Sequence, residues 1–151
     1  MTQQVEFSFS AECDADAATV MRLLEDVDGW PRWARPLLLH AQWERWGESD
    51  LAGPGAVRKL GAWPVWIREM ILTRSSHGHT YTVISPAAFR HYLGTVEITD
   101  RPTGGVGIVW RIEFIARRAV MAPVLKAALQ RTISGLLDKL VRVARQEGAD
   151  R

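Results

Sequence analysis

The chain reads as an α+β domain, a curved antiparallel sheet of about seven strands wrapped around one long C-terminal helix, with two short helices after the first strand. Three observations predict it. Residues 119–146 carry apolar positions at helical spacing, residues 56–116 hold successive strand-like segments separated by short turns, and residues 5–11 alternate strictly between apolar and polar. A helix over 123–146 would be roughly 36 Å long at ~1.5 Å per residue. Such a helix cannot bury its own apolar stripe, and the meander is the one upstream unit of matching size.

Taken in order, the first strand sets Val5, Phe7 and Phe9 on one face. Asp14 or Asp16 is placed to cap a helix over 17–27 that turns Val20, Leu23, Leu24 and Val27 inward. Asp28-Gly29 breaks that helix. The segment 30–36 holds Pro31 and Pro36, so it supports only a short second helical piece. A strand over 37–46 and a loop over 47–55 come next. Strands are then expected over 56–62, 65–74, 80–85, 89–99 and 106–116. Trp63-Pro64, the exposed turn 75–79 with His77 and His79, Pro86-Ala87-Ala88 and the Gly-rich 100–105 separate them. Connections this short make neighbouring strands antiparallel. In the final helix Val120, Val124, Ala128, Ile133, Leu136, Leu137, Leu140 and Ala144 form the stripe, Pro123 fits the first turn, and Gly148 suits the stop.

A length of 151 residues is most economically one domain spanning 1–151, large enough for a substantial core. A net charge of +2, with no basic run interleaved with aromatics, argues against nucleic acid as a partner. The single cysteine, Cys13, excludes an internal disulfide and favours a reducing compartment. No apolar run reaches membrane-spanning length and no leader pattern opens the chain, so a cytoplasmic protein is expected, monomer or homodimer. The unusual feature is seven tryptophans, which fill a core or line a cavity for a flat apolar ligand.

Alternation assigns faces. Val106, Ile108, Trp110, Ile112 and Phe114 should look at the helix, as should Tyr81 and Val83. In 89–99 the inward set is Arg90, Tyr92, Gly94, Val96 and Ile98, the glycine leaving space beside Tyr92. Strand 65–74 has two registers: one turns Glu69 inward, the other turns Arg68 inward and exposes Glu69. With Glu69 inside, Glu69 and Arg90 would pair beside Tyr92, as candidate catalytic groups or as polar anchors for a ligand. An internal ion pair, or simple polar contacts to a ligand, is preferred over catalysis. His77 and His79 lack a third ligand and Cys13 lacks an activating neighbour, so neither a metal site nor a nucleophile is expected, and no cofactor is called for. Gly135, in mid-helix, marks either close packing or room for a ligand.

The order of these pieces resembles the START/Bet v 1-like (SRPBCC) superfamily and, within it, the polyketide cyclase/dehydrase group. The matching features are the opening strand, Trp30-Pro31-Arg32-Trp33, Gly53-Pro54-Gly55, Ile67-Arg68-Glu69, Tyr92-Leu93-Gly94, Val109-Trp110-Arg111-Ile112 and the terminal helix. The resemblance implies a helix-grip fold with a deep, largely apolar cavity and a hydrophobic or aromatic small-molecule ligand, lipid- or polyketide-like. Trp30, Trp33, Trp63, Tyr81, Tyr92, Trp110, Ile112 and Leu136 would be its walls, with Arg90 and Glu69 as anchors. Two alternatives stand beside this reading: a cyclase or dehydratase using the polar cavity residues, and a protein-interaction module whose cavity has collapsed. An internal void of roughly 300 Å³ or more separates the first two from the third.

Overall fold

The computed structural model describes residues 4–62 and 65–149. Strand β1 (Gln4–Cys13) leads into α1 (Ala17–Glu25), a 3₁₀ turn (Val27–Gly29) and α2 (Trp30–Ala34). The meander follows as β2 (His40–Arg45), β3 (Val57–Ala62), β4 (Val65–Ser75), β5 (Gly78–Ser85), β6 (Phe89–Asp100) and β7 (Val106–Ala116). A 3₁₀ turn (Ala119–Met121) then feeds α3 (Ala122–Ala149). The seven strands form one antiparallel sheet in the order β1-β7-β6-β5-β4-β3-β2. β1 lies along all of β7, from Gln4 opposite Ile115 to Cys13 opposite Val106, so the first strand and the last share an edge of the grip.

Local chemistry explains most of the boundaries. Asp16, not Asp14, caps α1: its carboxylate accepts the Thr19 backbone N–H at 2.8 Å. Pro31 sits in the first turn of α2, where its missing N–H costs nothing. Strand β2 starts three residues later than its apolar run suggests. The N–H groups of Leu37 and Leu38 turn back to the Ala34 carbonyl at 2.9 and 3.2 Å, which makes both residues a turn after α2 rather than part of the ladder. Along β7 the expected alternation holds throughout, with Val106, Ile108, Trp110, Ile112 and Phe114 all buried. Trp63, between β3 and β4, lies outside the described residues.

Helix α3 departs from its expected stripe. Ile133, Leu136, Leu137, Leu140 and Ala144 are buried, whereas Val120 is 80% exposed and Val124 59%, with Ala128 exposed as well. The reason is angular. Val124 and Ile133 are nine positions apart, roughly two and a half turns at 3.6 residues per turn, so they occupy opposite faces. Ala122, Leu125 and Leu129 instead continue the inward face through the amino-terminal half, where they are only half-buried. The helix also runs through Gly148 to Ala149 rather than stopping before it. Gly135 is occupied by packing: a Cβ there would lie 2.5 Å from Leu37 Cδ1, so the loop after α2 seats on the helix at that point.

Candidate functional site

The interior polar cluster is built from β3, β4, β5, β6 and β7. Glu69 faces inward from β4, which settles the register, and Arg68 points outward to Glu44 at 2.7 Å. The partner of Glu69 is Arg58, directly opposite on β3, with Arg58 Nε donating to Glu69 Oε1 at 2.9 Å. Both are deeply buried, Arg58 at 1% exposure and Glu69 at 7%. The guanidinium lies between two rings, 4.9 Å from the Trp30 centroid and 4.6 Å from that of Tyr81. Tyr81 in turn accepts the Trp110 indole N–H at 2.9 Å, and the Trp30 indole N–H is satisfied by the Leu23 and Leu24 carbonyls, each at 3.1 Å. Both indole N–H groups and the Arg58 Nε of this stack have partners, as burial demands.

Arg90, the expected partner of Glu69, is exposed instead. The register shifts between Phe89 and His91 against β7, so Arg90 is the extra residue of a β-bulge. The bulge inverts the parity before it: Phe89 turns toward Tyr92 and Phe114, with ring centroids at 4.9 and 5.4 Å. Arg58 could have been found from its strand, since Arg58 shares the parity of Leu60 and interrupts an otherwise apolar inward row. The space foreseen beside Gly94 is filled. Tyr81 pairs with Gly94 across the ladder and lays its ring where a Cβ would stand, 2.2 Å from the Tyr81 Cζ.

The other named residues divide into two groups. Trp30, Tyr81, Tyr92, Trp110, Ile112 and Leu136 are buried together in the core, with Trp33 half-buried against it. His77 stays in the β4–β5 turn beside Asp100 at 3.2 Å, but His79 is buried, contrary to its expected place in that turn. The turn is tighter than foreseen, with Ser75 paired to Gly78, so His79 already belongs to β5 and shares the inward parity of Tyr81. Its Nε2 has no hydrogen-bond partner among the described residues.

Burial dominates the electrostatics. It raises the Glu69 carboxyl above the ordinary carboxylate range, against the opposing pull of the Arg58 charge and hydrogen bond. The Tyr81 and Tyr92 phenols are raised, first by burial and then by neighbouring negative charge, from Glu69 on Tyr81 and from Tyr81 and Glu69 on Tyr92. His79 is lowered from 6.5 to about 3, first by burial and second by the Arg58 charge. The fold therefore refuses a proton that the unfolded chain accepts near 6.5. Stability contributed by neutral His79 is present above that value and is lost as pH falls toward 3. Chemical unfolding at pH 7 and pH 5 should show the native protein losing on the order of 1–2 kcal/mol more than His79→Phe over that interval, at ~1.4 kcal/mol per unit. Equal losses in the two proteins would contradict it.

The pocket touching this cluster, lined by Arg58, Ile71, His79, Met21, Leu24 and Trp43, has a volume of about 10 Å³, room for one water. Around this cluster the expected walls pack on one another, and the space left is far below the roughly 300 Å³ that separates a ligand cavity from a collapsed one. Two larger grooves, of about 430 and 420 Å³, carry charged side chains: one runs between α1 and the β4–β5 turn (Arg22, Glu25, Arg74), the other beside edge strand β2 (Asp28, Lys59). Trp33, Leu37, Val83, Phe89, Leu125 and Leu129 pack only partly against the core, Val83 directly opposite Glu69 in the ladder and Trp33 beside Trp30. No group of three or more His, Cys, Asp or Glu residues suited to a metal occurs among the described residues, and no described helix is long and apolar enough to cross a membrane.

A family model described as polyketide cyclase / dehydrase and lipid transport matches residues 4–145. No curated protein matches the chain. Among solved structures, a START superfamily protein from Mycobacterium smegmatis aligns with TM-score 0.76 at 13% identity, covering 93% of this chain and 97% of that one. Norcoclaurine synthase from Thalictrum flavum, in complex with dopamine and hydroxybenzaldehyde, aligns with TM-score 0.73 at 11% identity over 96% and 88%. The di-domain ARO/CYC protein StfQ, from the steffimycin biosynthetic pathway, aligns with TM-score 0.71 at 16% identity, this chain covering 98% of itself and 51% of StfQ. At these identities the likeness is one of fold.

Proposed function

We propose that this chain, which belongs to the polyketide cyclase/dehydrase and lipid transport family, binds a hydrophobic or aromatic small molecule between its sheet and the amino-terminal half of α3. The supporting observation is incomplete cover. Leu125 and Leu129 on α3, Val83 and Phe89 on the sheet, and Trp33 and Leu37 in and after α2 remain half-buried. Apolar side chains that a fold leaves half-covered are where an apolar ligand gains most from burial. In this reading Trp33 is a half-buried wall residue and Tyr92 a buried one. Trp30, Tyr81 and Trp110 form the rigid floor behind them, and the enclosed Arg58–Glu69 pair holds that floor in place.

Titration of intrinsic tryptophan fluorescence with fatty acids and aromatic polyketide-like phenols tests this. Leu129→Glu should weaken binding at least tenfold, which is about 1.4 kcal/mol, while Val120→Ser on the outer face leaves it unchanged. A folded protein that responds to no member of the panel would remove the reading. The alternative, a cyclase or dehydratase, is favoured by the raised Glu69 carboxyl beside Tyr92, a pairing suited to proton transfer. It requires substrate to reach a carboxylate already held by Arg58, and turnover that survives Glu69→Gln would dismiss it.

A further inference from the structure

The 3₁₀ turn before α3 and the first turn of α3 present an apolar surface to solvent that the grip does not use. Val120, Met121 and Val124 are 80%, 41% and 59% exposed. Val120 and Val124 are one turn apart, and Arg131 lies two further turns along the same face, opposite the buried Ile133 row. Arg117 and Arg118 immediately precede the patch and are exposed. From residue 114 to residue 137 the chain has no Asp or Glu. An exposed apolar ridge in a segment whose only charges are cations has the composition of a helix that lies in a bilayer interface rather than across it.

We infer that the outer face of residues 117–131 docks on an anionic lipid surface, with Val120, Met121 and Val124 entering the headgroup boundary and Arg117, Arg118 and Arg131 meeting lipid phosphates and carboxylates. Charge decides the occupant. A two-fold contact with a second copy would set the same arginines against one another, because an isologous interface opposes each patch to itself. An anionic membrane instead attracts each of them. Docking of this face needs no ligand inside the grip, so it stands or falls apart from ligand binding.

Co-sedimentation of the full chain with vesicles tests it, comparing phosphatidylcholine alone with phosphatidylcholine plus phosphatidylserine. The protein should partition onto the anionic vesicles and be released by high salt. Arg118→Glu should weaken partitioning by roughly fivefold or more and Val124→Asp by roughly tenfold, with far-UV circular dichroism unchanged since both side chains are exposed. Equal partitioning onto both vesicle types, partitioning indifferent to both substitutions, or no partitioning would each overturn the inference. A dimer in sedimentation velocity that Val124→Asp dissociates, without vesicle binding, would assign the face to a second copy and overturn it too.

Discussion

Replacing Arg58 with Ala is expected to destabilise the protein by about 3–5 kcal/mol, the range for removing one partner of a buried ion pair. The guanidinium holds Glu69 at 2.9 Å and fills the space between the Trp30 and Tyr81 rings. Its loss leaves a buried carboxylate with its anchor gone and a void between two aromatics. The companion double variant Arg58→Met, Glu69→Leu removes both charges and keeps most of the volume. It should recover most of that loss, since an apolar pair of similar size often replaces a buried ion pair at little cost. Urea unfolding followed by circular dichroism measures both. A loss below about 1 kcal/mol for Arg58→Ala would mean that the pair is loosely held and solvated.

The second large effect is expected at Gly94. A methyl group there would stand 2.2 Å from Cζ of Tyr81, with two further ring atoms at 2.5 and 2.7 Å, so Gly94→Ala must displace the ring. The displacement breaks the 2.9 Å bond from the Trp110 indole to the Tyr81 hydroxyl and leaves that buried donor without its acceptor. Overpacking and a lost buried partner each cost about 1–3 kcal/mol, which puts the substitution at roughly 2–6 kcal/mol. Gly94→Val should be worse. Combining Gly94→Ala with Tyr81→Leu should be less than additive, because the second change removes the atoms the first collides with. Additive losses in that cycle would show that the ring does not depend on the glycine.

How much of this could be read beforehand depends on whether the cause was local. The cap at Asp16, the proline in the first turn of α2 and the strict alternation of β7 are consequences of residues within a few positions of each other. The β7 alternation and the short second helix match their expectations, and the structure chooses Asp16 where the sequence leaves Asp14 or Asp16 open. The candidate site fared differently. Alternation turns Tyr92 inward and one of two registers turns Glu69 inward, and both are buried. Counting turns Arg90 inward as well, and counting fails at a bulge, because one extra residue reverses every side chain before it. Parity alone puts Arg58 on an apolar inward row, but its partner, Glu69, is fixed only by the pairing of β3 with β4.

By itself, then, the sequence determined the order of elements, the inward face of unbroken strands such as β1 and β7, and the presence of a helix long enough to be gripped. These follow from periodicities of two and 3.6, which belong to the chain. Only the tertiary structure decided which charge meets Glu69, that the Tyr81 ring takes the place beside Gly94, and that α3 turns Val120 and Val124 away from the sheet. Each of those depends on the register between strands distant in sequence and on how far the sheet reaches along the helix. A helical repeat specifies a stripe, but the length and curvature of what lies against it decide how much of that stripe is covered.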